Sequence, residues 1–211
     1  MTTATIPDIR SRRDSGNLSE LQTLLDRLIG EPFRFLRFTY GDELTIHFGE
    51  LEPSRSPKLK DTMFGAFMLG VRASSWAITS AAGTVCSDGF RDPVSGGERR
   101  LTKEEKVGLE TNPPIPAGCD VVAAVLFVNA SGQHLVLEVM LADGSSIWIT
   151  PPSTEVDEPG DDGLPEIADW ELFTPNGFLS VGPGLAWSFE PKKTPSDTPR
   201  PTADCGQQSP P

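Results

Sequence analysis

From Phe33 onward the apolar residues of this chain recur at every second position, in short runs separated by glycine turns. An extended backbone sends alternate side chains to opposite faces, so each run reads as a strand with one buried face. Phe33, Phe35, Arg37 and Thr39 alternate with Arg34, Leu36, Phe38 and Tyr40. Gly41-Asp42 is a tight-turn signal, after which Leu44, Ile46 and Phe48 point one way and Thr45 and His47 the other. Met63 to Val71 is an apolar strand, with Gly65 and Gly70 at positions suited to a bulge or a close backbone approach. Ser75 to Thr79 forms a short strand around Trp76, and the β-branched run Val121–Val128 predicts a central strand. Ser131-Gly132 and Asp143-Gly144 turn the chain into His134–Leu141 and Ser146–Thr150. Trp170–Thr174, an Asn176-Gly177 turn, Phe178–Val181 and Leu185–Phe189 complete the series.

One segment has a different period. Asn17 is suited to cap a helix, Glu20 stands where a capping box needs it, and Leu18, Leu21, Leu24, Leu25 and Leu28 share a stripe before Gly30 and Pro32 stop it. A helix this short is marginal alone in water. Burying four of its leucines contributes about 6–10 kcal/mol before chain entropy is subtracted. The expected fold is therefore a single β-rich α+β domain over residues 17–190. It has nine or ten short, mostly antiparallel strands and one N-terminal helix packed on a sheet. Residues 1–16 read as a disordered arm and 191–211 as a disordered, proline-rich tail. Residues 87–118, with their glycines, charges and prolines, read as a surface insertion with one helical turn near 102–107.

The formal charge of −12 is unevenly placed. Residues 1–106 carry 15 basic and 15 acidic side chains, whereas 107–191 carry 13 acids and no Lys or Arg. Eight of those acids fall between Glu155 and Glu171, within or beside a loop at 153–169 that is expected to stay solvated. Generic nucleic-acid binding is disfavoured, because phosphate recognition needs a positive surface. No apolar run is long enough to span a bilayer, and the polar N-terminus does not resemble a secretory leader, so the cytoplasm is the expected compartment.

Catalytic signatures are sparse. Cys86, Cys119 and Cys205 show no metal or redox spacing, although a Cys86–Cys119 disulfide stays open. His47 and His134 are the only imidazoles, and each reads as a structural or surface residue. Gly182-Pro183-Gly184 lacks the helix and the N–H groups of a phosphate cradle, and reads as a turn. The acids Asp157, Asp161, Asp162, Glu166 and Asp169 surround a glycine but do not follow the order of a calcium-binding hand, so neither a metal nor a cofactor is expected. Trp148, between Ile147 and Ile149, takes the opposite face from both. Its strand is either buried on both faces or presents the indole to a partner.

Two stretches look alike: FTYGDELTIHF (38–48) followed by SSWAIT (74–79), and VMLADGSSIWIT (139–150) followed by ADWELF (168–173). Each is strand, glycine turn, strand, loop and tryptophan strand, as an internal duplication would leave. The stretches FLRFTYGDELTIHFGE (35–50) and ADWELFTPNGFLSVGPGLAWSFE (168–190) resemble an uncharacterised group of small bacterial β-rich domains. More loosely, they resemble the compact immunity-type proteins found beside toxin genes. The resemblance implies a bacterial, intracellular, β-rich protein and carries no assigned activity. The expected function is a non-enzymatic interaction module, immunity-like or a complex component. It would dock a protein partner with a basic surface through Asp157, Glu158, Asp161, Asp162 and Trp148. The alternative is a small-ligand or enzymatic site in a barrel mouth, lined by Trp148, His134 and Tyr40. A third is self-assembly through edge strands.

Overall fold

The protein is seen in a computed structural model that describes residues 16–39, 43–54, 56–59, 61–71, 74–80, 83–89, 100–129, 132, 134–151, 169–182 and 185–192. The leucine stripe forms α1 (Gly16–Leu25), whose last turn tightens to a 3-10 turn at Asp26–Leu28. Leu21, Leu25 and Leu28 are fully buried. Five strands follow: β1 (Phe33–Phe38), β2 (Leu44–Pro53), β3 (Met63–Val71), β4 (Ser75–Ser80) and β5 (Gly83–Asp88). Then come α2 (Lys103–Thr111), β6 (Val121–Val128), β7 (Leu135–Leu141), β8 (Ser146–Thr150), β9 (Trp170–Thr174), β10 (Gly177–Val181) and β11 (Trp187–Pro191). The fold class is β-rich α+β, with two antiparallel sheets ordered β1-β2-β3-β9-β10-β11 and β5-β4-β8-β7-β6. One core lies between the sheets. Leu36, Leu44, Ile46, Leu69, Trp170 and Leu179 come from the first, and Trp76, Ile78, Leu137, Val139, Ile147 and Ile149 from the second.

Each sheet is a three-strand meander from one half of the chain, extended by a hairpin from the other half. β1-β2-β3 is extended by β9-β10, and β6-β7-β8 by β4-β5. A helix precedes each meander, and each helix packs on the first strand of the opposite half, α1 on β6 and α2 on β1. The chain is thus two topologically equivalent units that exchange their last two strands, with β11 added at one edge. Local geometry repeats as well. Gly30 and Gly118, just before β1 and β6, both take a φ of 88°. Register shifts fall at matching places, between Phe33 and Phe35 and between Val121 and Ala123. Between the units, Pro32 bridges Asp120, Phe33 N–H donates to Cys119 O (2.7 Å) and Val121 N–H donates to Glu31 O (3.0 Å). One row of cross-strand neighbours runs Phe38, Leu44, Val71, Trp170, Val181 in the first sheet. Its counterpart runs Leu126, Leu137, Ile149, Trp76, Asp88 in the second. The sequence match of Trp76 with Trp170 therefore falls on equivalent strands. The hairpin half of that match is displaced by one strand, since topology pairs β1-β2 with β6-β7.

Three sequence expectations change. Val121–Val128 is an edge strand rather than a central one. Its apolar character survives at an edge because α1 and the segment that follows it cover the edge: Gln22 Nε2 of α1 donates to Ala124 O (2.6 Å), and beyond the helix Gly30 N–H donates to Val121 O (2.8 Å). Within 87–118 the helix is longer than a single turn, and Leu101 and Ile115 enter the core. Thr102 and Glu105 form a reciprocal capping box at its start. The Asn176-Gly177 turn centres instead on Pro175-Asn176, because Gly177 already pairs with Thr174. Gly177 is needed in the strand, where a side chain would meet the Glu190 carbonyl of β11. Residues 1–15, 90–99, 152–168 and 193–211, and so most of the expected arm, acidic loop and tail, lie outside the described residues. Among the described residues no helix is long and apolar enough to cross a membrane.

Candidate functional site

The internal equivalence exposes a difference between the two outer sheet faces. Since Val71 corresponds to Ile149, Gly70 in β3 corresponds to Trp148 in β8. On the second sheet Trp148 is only 9% exposed and packs with Ala77, Val136 and Phe127, its ring stacked on Phe127 at 6.0 Å. On the first sheet the same position carries no side chain. A methyl group at Gly70 would meet only Glu171, at 3.9 Å, so packing does not demand glycine there. The consequence of glycine is an open floor.

Over that floor lies a groove of about 370 Å³. Strand alternation brings Thr45 and His47 of β2, Met68 and Gly70 of β3, and Glu171 and Phe173 of β9 to this one face. The β2–β3 connection supplies Leu59 and Thr62 as one wall, while Arg37 and Glu43 line the other side. The lining is mainly apolar with a few convergent polar groups, the usual make-up of a small-molecule site.

His47 is 1% exposed although it points away from the sandwich core. Its ring stacks on Phe35 at 4.3 Å and lies 5.7 Å from Phe64. Burial, reinforced by the Arg37 charge, lowers its pKa to about 4, so the imidazole is neutral at pH 7. Nδ1 accepts the Gly65 N–H (3.2 Å), which places the ring proton on Nε2. Arg37 is half-buried, with its guanidinium carbon 5.3 Å from the centre of the Phe35 ring. No ion pair joins Arg37 to any of the described residues. Glu43 and Glu171 each have an interaction of their own. The arrangement offers a fixed cation and a neutral ring donor beside apolar walls, which suits holding an anionic group. It does not present a base to a hydroxyl, because Nδ1 is already taken by the backbone.

The residues singled out from sequence are scattered. Asp157, Glu158, Asp161, Asp162 and Tyr40 lie outside the described residues. Trp148 takes the first of its two expected states, in a strand buried on both faces. His134 is buried too, and its Nδ1 lies 3.4 Å from Asp169 Oδ2. This pair ties the start of β7 in one sheet to the start of β9 in the other. The acidic segment is not solvated throughout: Asp169 is 2% exposed, and Glu171 is buried in the groove. Cys86 and Cys119 are free thiols. Among the described residues no group of three His, Cys, Asp or Glu side chains is placed to hold a metal.

Arg37, His47 and Thr45 share the polar side of the first strand pair, a signal already present in the alternation of residues 33–48. Glu171 and Phe173 reach the same groove from more than a hundred residues away, which no local pattern announces. No family model matches the chain, and neither a curated protein nor a solved structure matches it.

Proposed function

We propose that the protein is a binding module that holds a small ligand in the groove on the outer face of the six-stranded sheet. The observation that carries this reading is Gly70. Where the equivalent sheet fills its face with Trp148, this sheet leaves a floor open between Thr45 and Glu171. Arg37 and His47 stand beside it with polar groups suited to orienting a ligand. A ligand that binds the native state raises its stability by mass action. Screening a metabolite library by thermal shift against wild type and Gly70→Trp is the test. Compounds that raise the Tm of wild type and not of Gly70→Trp are expected. A library in which every active compound stabilises both proteins equally overturns the reading.

A second reading is favoured by the segregated charge, 13 acids and no Lys or Arg across residues 107–191. In it the acidic segment steers a basic protein partner in a bacterial cytoplasm, in the manner of an immunity-type protein. Rim charges act mainly on association rate. Reversing Asp157, Glu158, Asp161 and Asp162 together is expected to slow association at least tenfold at low salt. An unchanged rate constant removes this role.

A further inference from the structure

We propose that the groove takes a small amphipathic monocarboxylate, its carboxylate on Arg37 and its apolar body against Phe64, Met68 and Phe173. This rests on the groove being a ligand site and adds the class of ligand. Arg37 supplies the charge. Arg37 is half-buried, and its guanidinium lies over the Phe35 ring and is joined to no carboxylate among the described residues. A planar guanidinium fork matches a carboxylate through two parallel hydrogen bonds. The second donor is His47. With Nδ1 occupied by the Gly65 N–H, the ring retains its Nε2–H while staying uncharged.

The carboxylates of the lining narrow the choice of anion. Glu43 and Glu171 face the same groove, and each already has an interaction of its own. A ligand with one negative charge meets one guanidinium. Among the described lining residues Arg37 is the only Lys or Arg, so a phosphate dianion brings a second charge for which these residues offer no second cation. Beyond the hydroxyls of Thr39, Thr45 and Thr62, the rest of the described lining is apolar. Phe64, Met68, Phe173 and Leu59 line it, and Phe173 extends the surface by its contact with Phe178, ring centres 4.5 Å apart. A volume of about 370 Å³ is at the small end for ligand pockets, which suits a single ring or a short acyl chain.

The experiment is isothermal titration of phenylacetate, 3-phenylpropionate and hexanoate, each beside its neutral amide, with phenyl phosphate as the dianion. The proteins are wild type, Arg37→Gln and Gly70→Trp, with circular dichroism and Tm confirming that each variant folds. At least one acid is expected to bind wild type ten times more tightly than its amide and than phenyl phosphate. Arg37→Gln is expected to level acid and amide, and Gly70→Trp to lose both. Equal affinity for acid and amide in wild type, or an acid preference that survives Arg37→Gln, overturns the carboxylate assignment. Binding that remains sensitive to Gly70→Trp would leave the groove itself standing. Tighter binding of phenyl phosphate overturns the monoanion argument. If no member of the panel binds, the carboxylate inference fails, and the library screen of Gly70→Trp decides the groove separately.

Discussion

At the scale of single residues, environment sets what a side chain does. His47 reads from sequence as an imidazole on the polar side of a strand, yet Phe35, Phe64 and Arg37 surround it and hold it neutral. The unfolded chain protonates this ring near pH 6.5, and the folded protein only near pH 4. Its contribution to stability is therefore fully present above about pH 6.5 and is lost as pH falls toward 4. The span corresponds to about 3 kcal/mol. Unfolding free energies of wild type and His47→Gln, measured by urea titration at pH 7 and pH 4, are expected to draw closer by about that amount at the acid end. A difference that does not change with pH would show that the ring is not held neutral. Gly177 makes the same point sterically. Asn-Gly is a strong turn signal, but the glycine is required by the neighbouring strand and the turn is made by Pro175-Asn176.

At the scale of elements, the two helices act as edge covers. α1 meets β6 through Gln22, and α2 meets β1 through Glu110, whose carboxylate accepts the Phe38 N–H (2.6 Å). Each helix thus satisfies backbone groups that an edge strand would leave open to another chain. The second helix was legible in Thr102-x-x-Glu105, a capping signature that the surrounding glycines and prolines obscured. Thr102→Ala removes the acceptor for the Glu105 N–H and is expected to cost about 1 kcal/mol by chemical denaturation. Glu110→Ala leaves the Phe38 N–H without its partner and is expected to cost about 1–3 kcal/mol. It is also expected to increase self-association, read by light scattering. A Glu110→Ala protein as stable and as monodisperse as wild type would show that the edge does not need this cover.

At the scale of the whole molecule, neither half of the chain can complete a sheet. β4 and β5 finish the sheet begun by β6-β7-β8, and β9 and β10 finish the one begun by β1-β2-β3. The buried His134–Asp169 pair is a polar tie between the two sheets across the same exchange. Residues 1–95 expressed alone should therefore show no cooperative unfolding. Co-expressed with residues 96–211, they should co-purify as a folded complex with a single transition. A cooperative transition in the isolated first fragment would contradict the exchange.

The sequence alone determined the strands other than β5, the N-terminal helix and the inward sides of most runs, because side-chain period follows directly from backbone geometry. It also determined where the charge lies. Which strands lie side by side was decided only by tertiary structure. The apolar faces of β4 and β9 fit either sheet equally well by pattern, and the choice between a closed meander and an exchanged one depends on packing across the whole core. The groove follows from that choice. Arg37 and His47 come from one unit and Glu171 and Phe173 from the other, and they share a face only because β9 crosses over to pair with β3.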